Sequence, residues 1–308
     1  MQPVTSGPVE AASAQVASMV ARLAVRSLHA ELLLYPKPGL VSAHDNGSHI
    51  DMDAATFMRS LFALRGYFQQ ITQAGFEAAD FAVLSDLGIA AERRMFLATR
   101  GVNTHRGAIF CLGMLCAAAG HVIRRSARPG ACTADAIRAA LIGRWGAALV
   151  RHCERRAPTA HGTSAALVHG IGGARAQGAA GMPAVFDIAL PALVRTLAAG
   201  RDWQCARIDA LFALMAHLDD TNVYHRGGAS GAAIVQEHGR RFLERGGTAD
   251  PHWHASAMAT HRLFVEGRLS PGGTADLLAA AILVHQLTQD WPPVRARARA
   301  QAVGRHRS

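Results

Sequence analysis

The chain has 308 residues, half of them hydrophobic and 6% aromatic, and its 32 lysines and arginines outweigh 22 acidic residues to give a formal charge of +10. No Ser/Gly/Pro linker divides it, so we expect one continuous all-α domain over residues 10–290, between a disordered 1–9 and a solvated Arg-rich tail at 291–308. Sparse aromatic platforms and the absence of a nucleic-acid motif argue against nucleic acid despite the charge, and the start lacks the charged-then-apolar pattern of a leader.

Along the chain, Val16, Met19, Val20, Leu23 and Ala30 recur at helical spacing, and Pro36 and Pro38 end that first helix near Leu34. The next segment holds Lys37, the single lysine of the chain, inside Tyr35-Pro36-Lys37-Pro38-Gly39-Leu40. An ammonium is a compact charge suited to phosphate; the plain alternative is an exposed turn residue. The first joint continues with His44, Asp45, His49, Asp51 and Asp53, which could hold a hard cation through oxygen or supply a general base. Asp51 or Asp53 also reads as the cap of a second helix carrying Phe57, Leu61, Leu64, Phe68 and Ile71 as far as Gly75.

Further helices are expected at roughly 80–99, 104–125, 133–156, 163–178, 184–199, 203–219, 230–245, 252–266 and 272–289. Their ends are marked by Gly101, Gly120, Gly200, Gly246-Gly247 and Gly267. The uncharged run Gly107–Ile123 falls short of the ~20 residues that cross a bilayer, which predicts a buried core helix and no membrane partner. Cys111, Cys116, Cys132, Cys153 and Cys205 show no CxxC spacing and read as reduced thiols of a cytoplasmic protein.

Polar residues gather where these helices meet. At the second joint, Gly101-Val102-Asn103-Thr104-His105-Arg106-Gly107, Asn103 or Thr104 can cap a helix whose free N–H groups, with His105 and Arg106, would face outward as an anion site. At the third, Asp219-Asp220-Thr221-Asn222, two adjacent aspartates at a helix C-terminus oppose the dipole, a cost that a shared cation would offset. Arg226-Gly227-Gly228 follows. Ser270-Pro271-Gly272-Gly273-Thr274-Ala275-Asp276 reads as a cap, a proline in the first turn and glycines that let a ligand approach. Gly170-Ile171-Gly172-Gly173-Ala174-Arg175 reads similarly. Residues His152, His161, His169, His217, His252, His254, His261 and His285 lack zinc-type spacing. P-loop, GxGxxG and nucleophile-elbow motifs are absent.

Taken in order, Pro36-Lys37-Pro38-Gly39-Leu40-Val41, Asp45-Asn46-Gly47-Ser48-His49 with Asp51-Met52-Asp53, Gly101-Val102-Asn103-Thr104-His105, Asp219-Asp220-Thr221-Asn222, His225-Arg226-Gly227-Gly228 and Ser270-Pro271-Gly272-Gly273 resemble the triphosphoribosyl-dephospho-CoA synthase family over roughly residues 25–285. Two positions depart from that pattern: Arg106 stands where the family has Lys, and Gln177 where it has Glu.

The resemblance implies a helical, Mg²⁺-using transferase that joins ATP to 3′-dephospho-CoA and releases adenine. Its product would be the prosthetic-group precursor that a holo-acyl-carrier-protein transferase loads onto malonate decarboxylase, the branch it resembles more, or citrate lyase. On that basis Asp219, Asp220 and Asp53 are expected to bind Mg²⁺–triphosphate. Lys37, Arg106, Arg226 and Arg175, with Asn103, Thr104, Ser270 and Gly272, would contact phosphates or substrate. Asp45 or Asp51 would be the base, and His49 or His105 would donate to adenine. The rival readings are a Mg²⁺-dependent nucleotide or ADP-ribosyl hydrolase and a noncatalytic basic helical binding module.

Overall fold

The computed structural model describes residues 8–126, 132–155 and 173–289. Among these the regular structure is all helical: α1 (Pro8–Leu32), α2 (Ala54–Ala63), α3 (Arg65–Phe76), α4 (Phe81–Ala98), α5 (Arg106–Arg125), α6 (Ala134–Arg155) and α7 (Ala174–Ala179). A π turn (Ala184–Ala189) then leads into α8 (Leu190–Ala198), α9 (Trp203–His217), α10 (Thr221–Glu244), a short 3-10 turn (Gly247–Ala249), α11 (Trp253–Glu266) and α12 (Gly272–Gln289). The tail at 291–308, most of the N-terminal stretch, His161, His169 and Gly170–Gly172 lie outside the described residues.

The uncharged run becomes α5, which packs against α1, α3, α6 and α12 at the centre of the fold. It is the one helix among the described residues long and apolar enough to cross a membrane, yet 72% of its most apolar stretch is buried inside the protein. Each fully buried leucine along it, such as Leu112 and Leu115, contributes about 1.5–3 kcal/mol. Small residues bring α3 and α5 nearly into backbone contact: a Cβ on Gly75 would lie 2.1 Å from Ala117 O, and one on Gly120 2.4 Å from Thr72 O. Gly120, expected to end a helix, is therefore an interior contact residue. The second group of helices is built on α9, which packs on α8 and α10 and leans on α12.

Three boundaries differ from the sequence expectation. The helix expected from residue 53 to 75 breaks at Leu64 into α2 and α3. The segment 184–199 begins as a π turn, because Pro191 in the next turn has no N–H to donate to the preceding one. Lastly, α10 starts at Thr221 rather than near 230 and carries a break at Gly228 (φ 62°, ψ −160°), a backbone conformation open to glycine. α4 closes on Arg100, left-handed at φ 57°, and Gly101, expected to be that residue, follows at φ 90° with its N–H returned to Phe96 O at 2.7 Å.

Candidate active site

The site begins with a charge on the wrong face. Along α1 the buried positions Val20, Ala24, Ser27 and Leu28 continue to Glu31, so its carboxyl points into the core at 4% exposure. Six residues on, the turn delivers Lys37, and its Nζ donates to Glu31 Oε1 at 2.5 Å. Lys37 is only 1% exposed, which rules out the exposed-turn alternative and also corrects the expectation of an open phosphate contact. Burial raises the Glu31 pKa, and the adjacent ammonium opposes that rise. The Lys37 carbonyl accepts from His261 Nδ1 (3.0 Å), which turns His261 Nε2 toward Asp45 Oδ2 at 3.5 Å.

Two aspartates join the N-termini of three helices. Asp220 is not at a helix C-terminus, as the adjacent-aspartate reading supposed; it is the N-cap of α10, accepting from Asn222 N at 2.9 Å. Its second oxygen accepts from Thr274 N (2.7 Å) and Thr274 Oγ1 (3.0 Å) in the first turn of α12. Gly273 permits that approach, since a Cβ there would stand 3.1 Å from Asp220 Oδ1. The glycines expected to admit a ligand thus admit a carboxylate of the chain itself. From the same turn of α12, Asp276 reaches the start of α5. It accepts from the Ala108 backbone, and a Cβ on Gly107 would fall 2.1 Å from its Oδ2. The anion at the 101–107 joint is therefore Asp276, which takes the Ala108 N–H, while Asn103 takes that of Arg106. Helix N-termini stabilise buried carboxylates of this kind, but desolvation dominates and raises the pKa of both, that of Asp276 well above its ordinary value with Glu31 and Asp220 adding to it.

His105 sits beside this cluster, buried, with Nδ1 2.6 Å from Ser60 Oγ and Nε2 without a partner. Burial first and the Lys37 charge second push its pKa down to about 3, so the ring is neutral near pH 7. In that neutral form the expected donation to adenine would be through a ring N–H. Arg106 faces away from the cluster, with Nε 3.1 Å from Glu92, while its backbone N–H is capped by Asn103 Oδ1 at 3.3 Å. Thr104 Oγ1 is buried without a partner.

Above this floor lies an accessible rim. His49 Nε2 is 2.8 Å from Ser270 Oγ, and Arg226 donates to His49 Nδ1 at 3.1 Å and to Ser48 O at 3.2 Å. An arginine only donates, so Nδ1 is bare and Nε2–H donates to the buried Ser270 hydroxyl, which ties the 39–51 turn to the start of α12. Burial and then Arg226 lower the His49 pKa, which agrees with that neutral tautomer. Asp51 stands at the surface, 3.5 Å from His49 Nδ1, and Asp45, a third exposed, takes the Gly47 N–H at 2.9 Å.

The structure thus brings the 35–51, 101–107, 219–226 and 270–276 segments to one place. It leaves Asp53 at the start of α2, where Oδ1 takes Thr56 N at 2.7 Å. Asp219 is exposed and bonded by Tyr224 and Gln236, so it does not share an ion with buried Asp220. Arg175 lines a separate cleft, and Gly272 touches Asn222. Among the described residues no three His, Cys, Asp or Glu groups are placed to hold a metal. Sequence reasoning gave no role to Glu31, Ser60, Asp276 or His261. Glu31 was detectable as an acid on the apolar stripe of α1, six residues before the single lysine; the other three become visible only through packing.

Comparison with known proteins gives a consistent picture. The model of the family described as CitG: ATP:dephospho-CoA triphosphoribosyl transferase matches residues 17–294. A relative from Acinetobacter calcoaceticus named "Probable 2-(5″-triphosphoribosyl)-3′-dephosphocoenzyme-A synthase" is 39% identical over 87% of this chain and 91% of its own length. A relative from Pectobacterium atrosepticum with the same name, without the qualifier, is 39% identical over 84% of this chain and 86% of its own. One from Vibrio cholerae, also carrying the qualifier, is 36% identical over 88% of each. No solved structure matches the chain.

Proposed function

We propose, from the premise that the chain belongs to the ATP:dephospho-CoA triphosphoribosyl transferase family, that it transfers the triphosphoribosyl group of ATP to 3′-dephospho-CoA at the joint of α1, α5, α10 and α12. The observation that carries this reading is the meeting of four sequence-distant segments at one place, linked by His49–Ser270, Arg226–His49, Asp220–Thr274 and Asp276–Ala108.

The acceptor 2′-oxygen bonds to C1′ of the ATP ribose, the C1′–N9 bond to adenine breaks, and one proton passes from the hydroxyl while adenine gains one on leaving. With charge building up on the ribose as in glycoside cleavage, carboxylates near C1′ stabilise the transition state. Asp45 and Asp51, the solvent-facing acids of the rim, fit the base. The Arg226 guanidinium, held at the rim by Ser48 O and His49, fits phosphate oxygens. Lys37, Asp220, Asp276 and neutral His105 work from below, fixing the turns that carry the rim.

Mg²⁺ enters as part of the ATP substrate. Among the described residues no three acidic or imidazole groups converge on one point, so the ion's ligands would come chiefly from phosphate and water, with a single rim carboxylate such as Asp51 adding an oxygen. The product serves the acyl-carrier subunit of malonate decarboxylase, by the likeness of the motifs, through a holo-acyl-carrier-protein transferase; modification of apo-carriers of malonate decarboxylase and citrate lyase by the purified product distinguishes the two. The decisive assay follows adenine by chromatography from ATP, Mg²⁺ and purified protein. Release that requires dephospho-CoA is the expected result. Release without it would make the protein a hydrolase, and no turnover would leave a binding module.

A further inference from the structure

Where the 35–47 turn meets α11, the hydrogen bonds require one proton more than the neutral groups supply. The Lys37 carbonyl can only accept, so its 3.0 Å contact fixes a proton on His261 Nδ1. A neutral ring would then turn the Nε2 lone pair toward Asp45 Oδ2, 3.5 Å away. Two acceptors facing each other repel, so the arrangement holds only with a second proton, on the ring or on the carboxyl. The other contacts of Asp45 are donors as well: the Gly47 N–H at 2.9 Å and the Tyr35 hydroxyl. Of the neighbouring charges, the Lys37 ammonium is turned to Glu31, and Arg262, next along α11, acts on Tyr35. His261 is buried, whereas a third of the Asp45 side chain is exposed, so a substrate meets the pair from the carboxyl side. Beside it the half-exposed Tyr35 ring and the exposed His44 ring lie 4.4 Å apart.

We propose that Asp45 and His261 hold one proton between them and that Asp45 passes it to the adenine leaving C1′, while the purine rests on Tyr35 and His44. The inference rests on the transferase reading above and assigns a role within it. Departing adenine needs a proton, yet His49 gives its single N–H to Ser270, and His105 is neutral and enclosed. The C1′–N9 electron pair goes to adenine, a ring nitrogen takes the proton from Asp45, and adenine departs neutral. The pair regains a proton from water, which balances the one that the acceptor hydroxyl gives up. Asp45 is then the acid of the reaction and not its base, a division of labour like that between the two carboxyls of an inverting glycosidase. His261 is a positioning residue that keeps the carboxyl loaded. Aromatic faces receive a purine by stacking, and a carboxyl beside them suits a basic ring nitrogen, whereas it would repel a phosphate.

A donor whose leaving group needs no proton supplies the test. In p-nitrophenyl β-ribofuranoside 5-triphosphate, p-nitrophenolate replaces adenine and departs as a stable anion. The unmutated enzyme should use both donors, since a nitrophenyl ring stacks as a purine does; refusal of this donor would overturn the aromatic shelf. With dephospho-CoA as acceptor, Asp45→Asn should lower kcat with ATP about 10²–10⁴-fold and keep kcat with the p-nitrophenyl donor within about threefold. His261→Gln should show the same selective loss to a smaller degree, which keeps the test decisive if the first variant does not fold. Equal losses with both donors would make Asp45 the base or only a structural part of its turn, and undiminished kcat with ATP would leave the pair without a role; either result overturns the proposal. Failure of the unmutated enzyme to release adenine with dephospho-CoA would instead refute the transferase reading itself.

Discussion

At the scale of the residue, Lys37 and Glu31 form an ion pair with almost no water around it. Attraction within such a pair offsets a desolvation cost, so the harm comes from leaving one partner alone. Lys37→Met should therefore cost about 3–5 kcal/mol, and adding Glu31→Gln should recover most of it, as read by urea unfolding. If the double variant is as unstable as the single one, the pair is not what sets the stability. The same reasoning separates charge from function: a double variant that folds well and turns over slowly would make the buried Lys37–Glu31 charge pair, and not stability alone, a requirement of turnover.

At the scale of the element, a single carboxylate holds two helices in register. Asp220 caps α10 through Asn222 and α12 through Thr274. In Asp220→Asn only one side of the amide accepts, so one helix keeps its cap while the other faces an NH₂ group. A buried donor without an acceptor costs about 1–3 kcal/mol, and Asp220→Ala should lose more, because both helix ends go bare. Thermal unfolding of the two variants measures this; equal losses would contradict the two-helix account. Helices and most of their boundaries were legible from apolar spacing and glycine position, as for α4, α5, α9 and α12. The split at Leu64 was not, because residues on both sides keep the same apolar stripe and only packing against neighbouring helices shows the break.

At the scale of the whole molecule, the acidic floor makes stability depend on pH. The folded pKa values of Glu31, Asp220 and Asp276 are raised, chiefly by desolvation, so the folded state binds protons more tightly than the unfolded one above about pH 4. Their contribution is fully present below that pH and is lost as pH rises through the folded values. His105, lowered to about 3, acts oppositely, since the unfolded chain takes up its proton first as pH falls through about 6.5. Asp276→Asn isolates the first effect: relative to the unmutated protein it should gain stability as pH rises. Urea midpoints compared at mildly acid and mildly alkaline pH check this, and parallel curves would show that Asp276 titrates alike in both states.

The sequence by itself determined an all-α chain with a buried central helix, polar residues gathered at the helix joints, and membership in a transferase family, because helical periodicity, glycine ends and ordered motifs are local signals. It also picked out Lys37, His49, His105, Arg226, Asp220 and Ser270 as residues that needed a reason. The tertiary structure alone decided what each one faces: Lys37 meets Glu31, Asp220 and Asp276 cap helices other than the ones that precede them, and His49 is held between Arg226 and Ser270. Spacing along one helix fixes which residues share a face. Which carboxylate fills which helix end depends on how distant segments pack and on how little water remains between them.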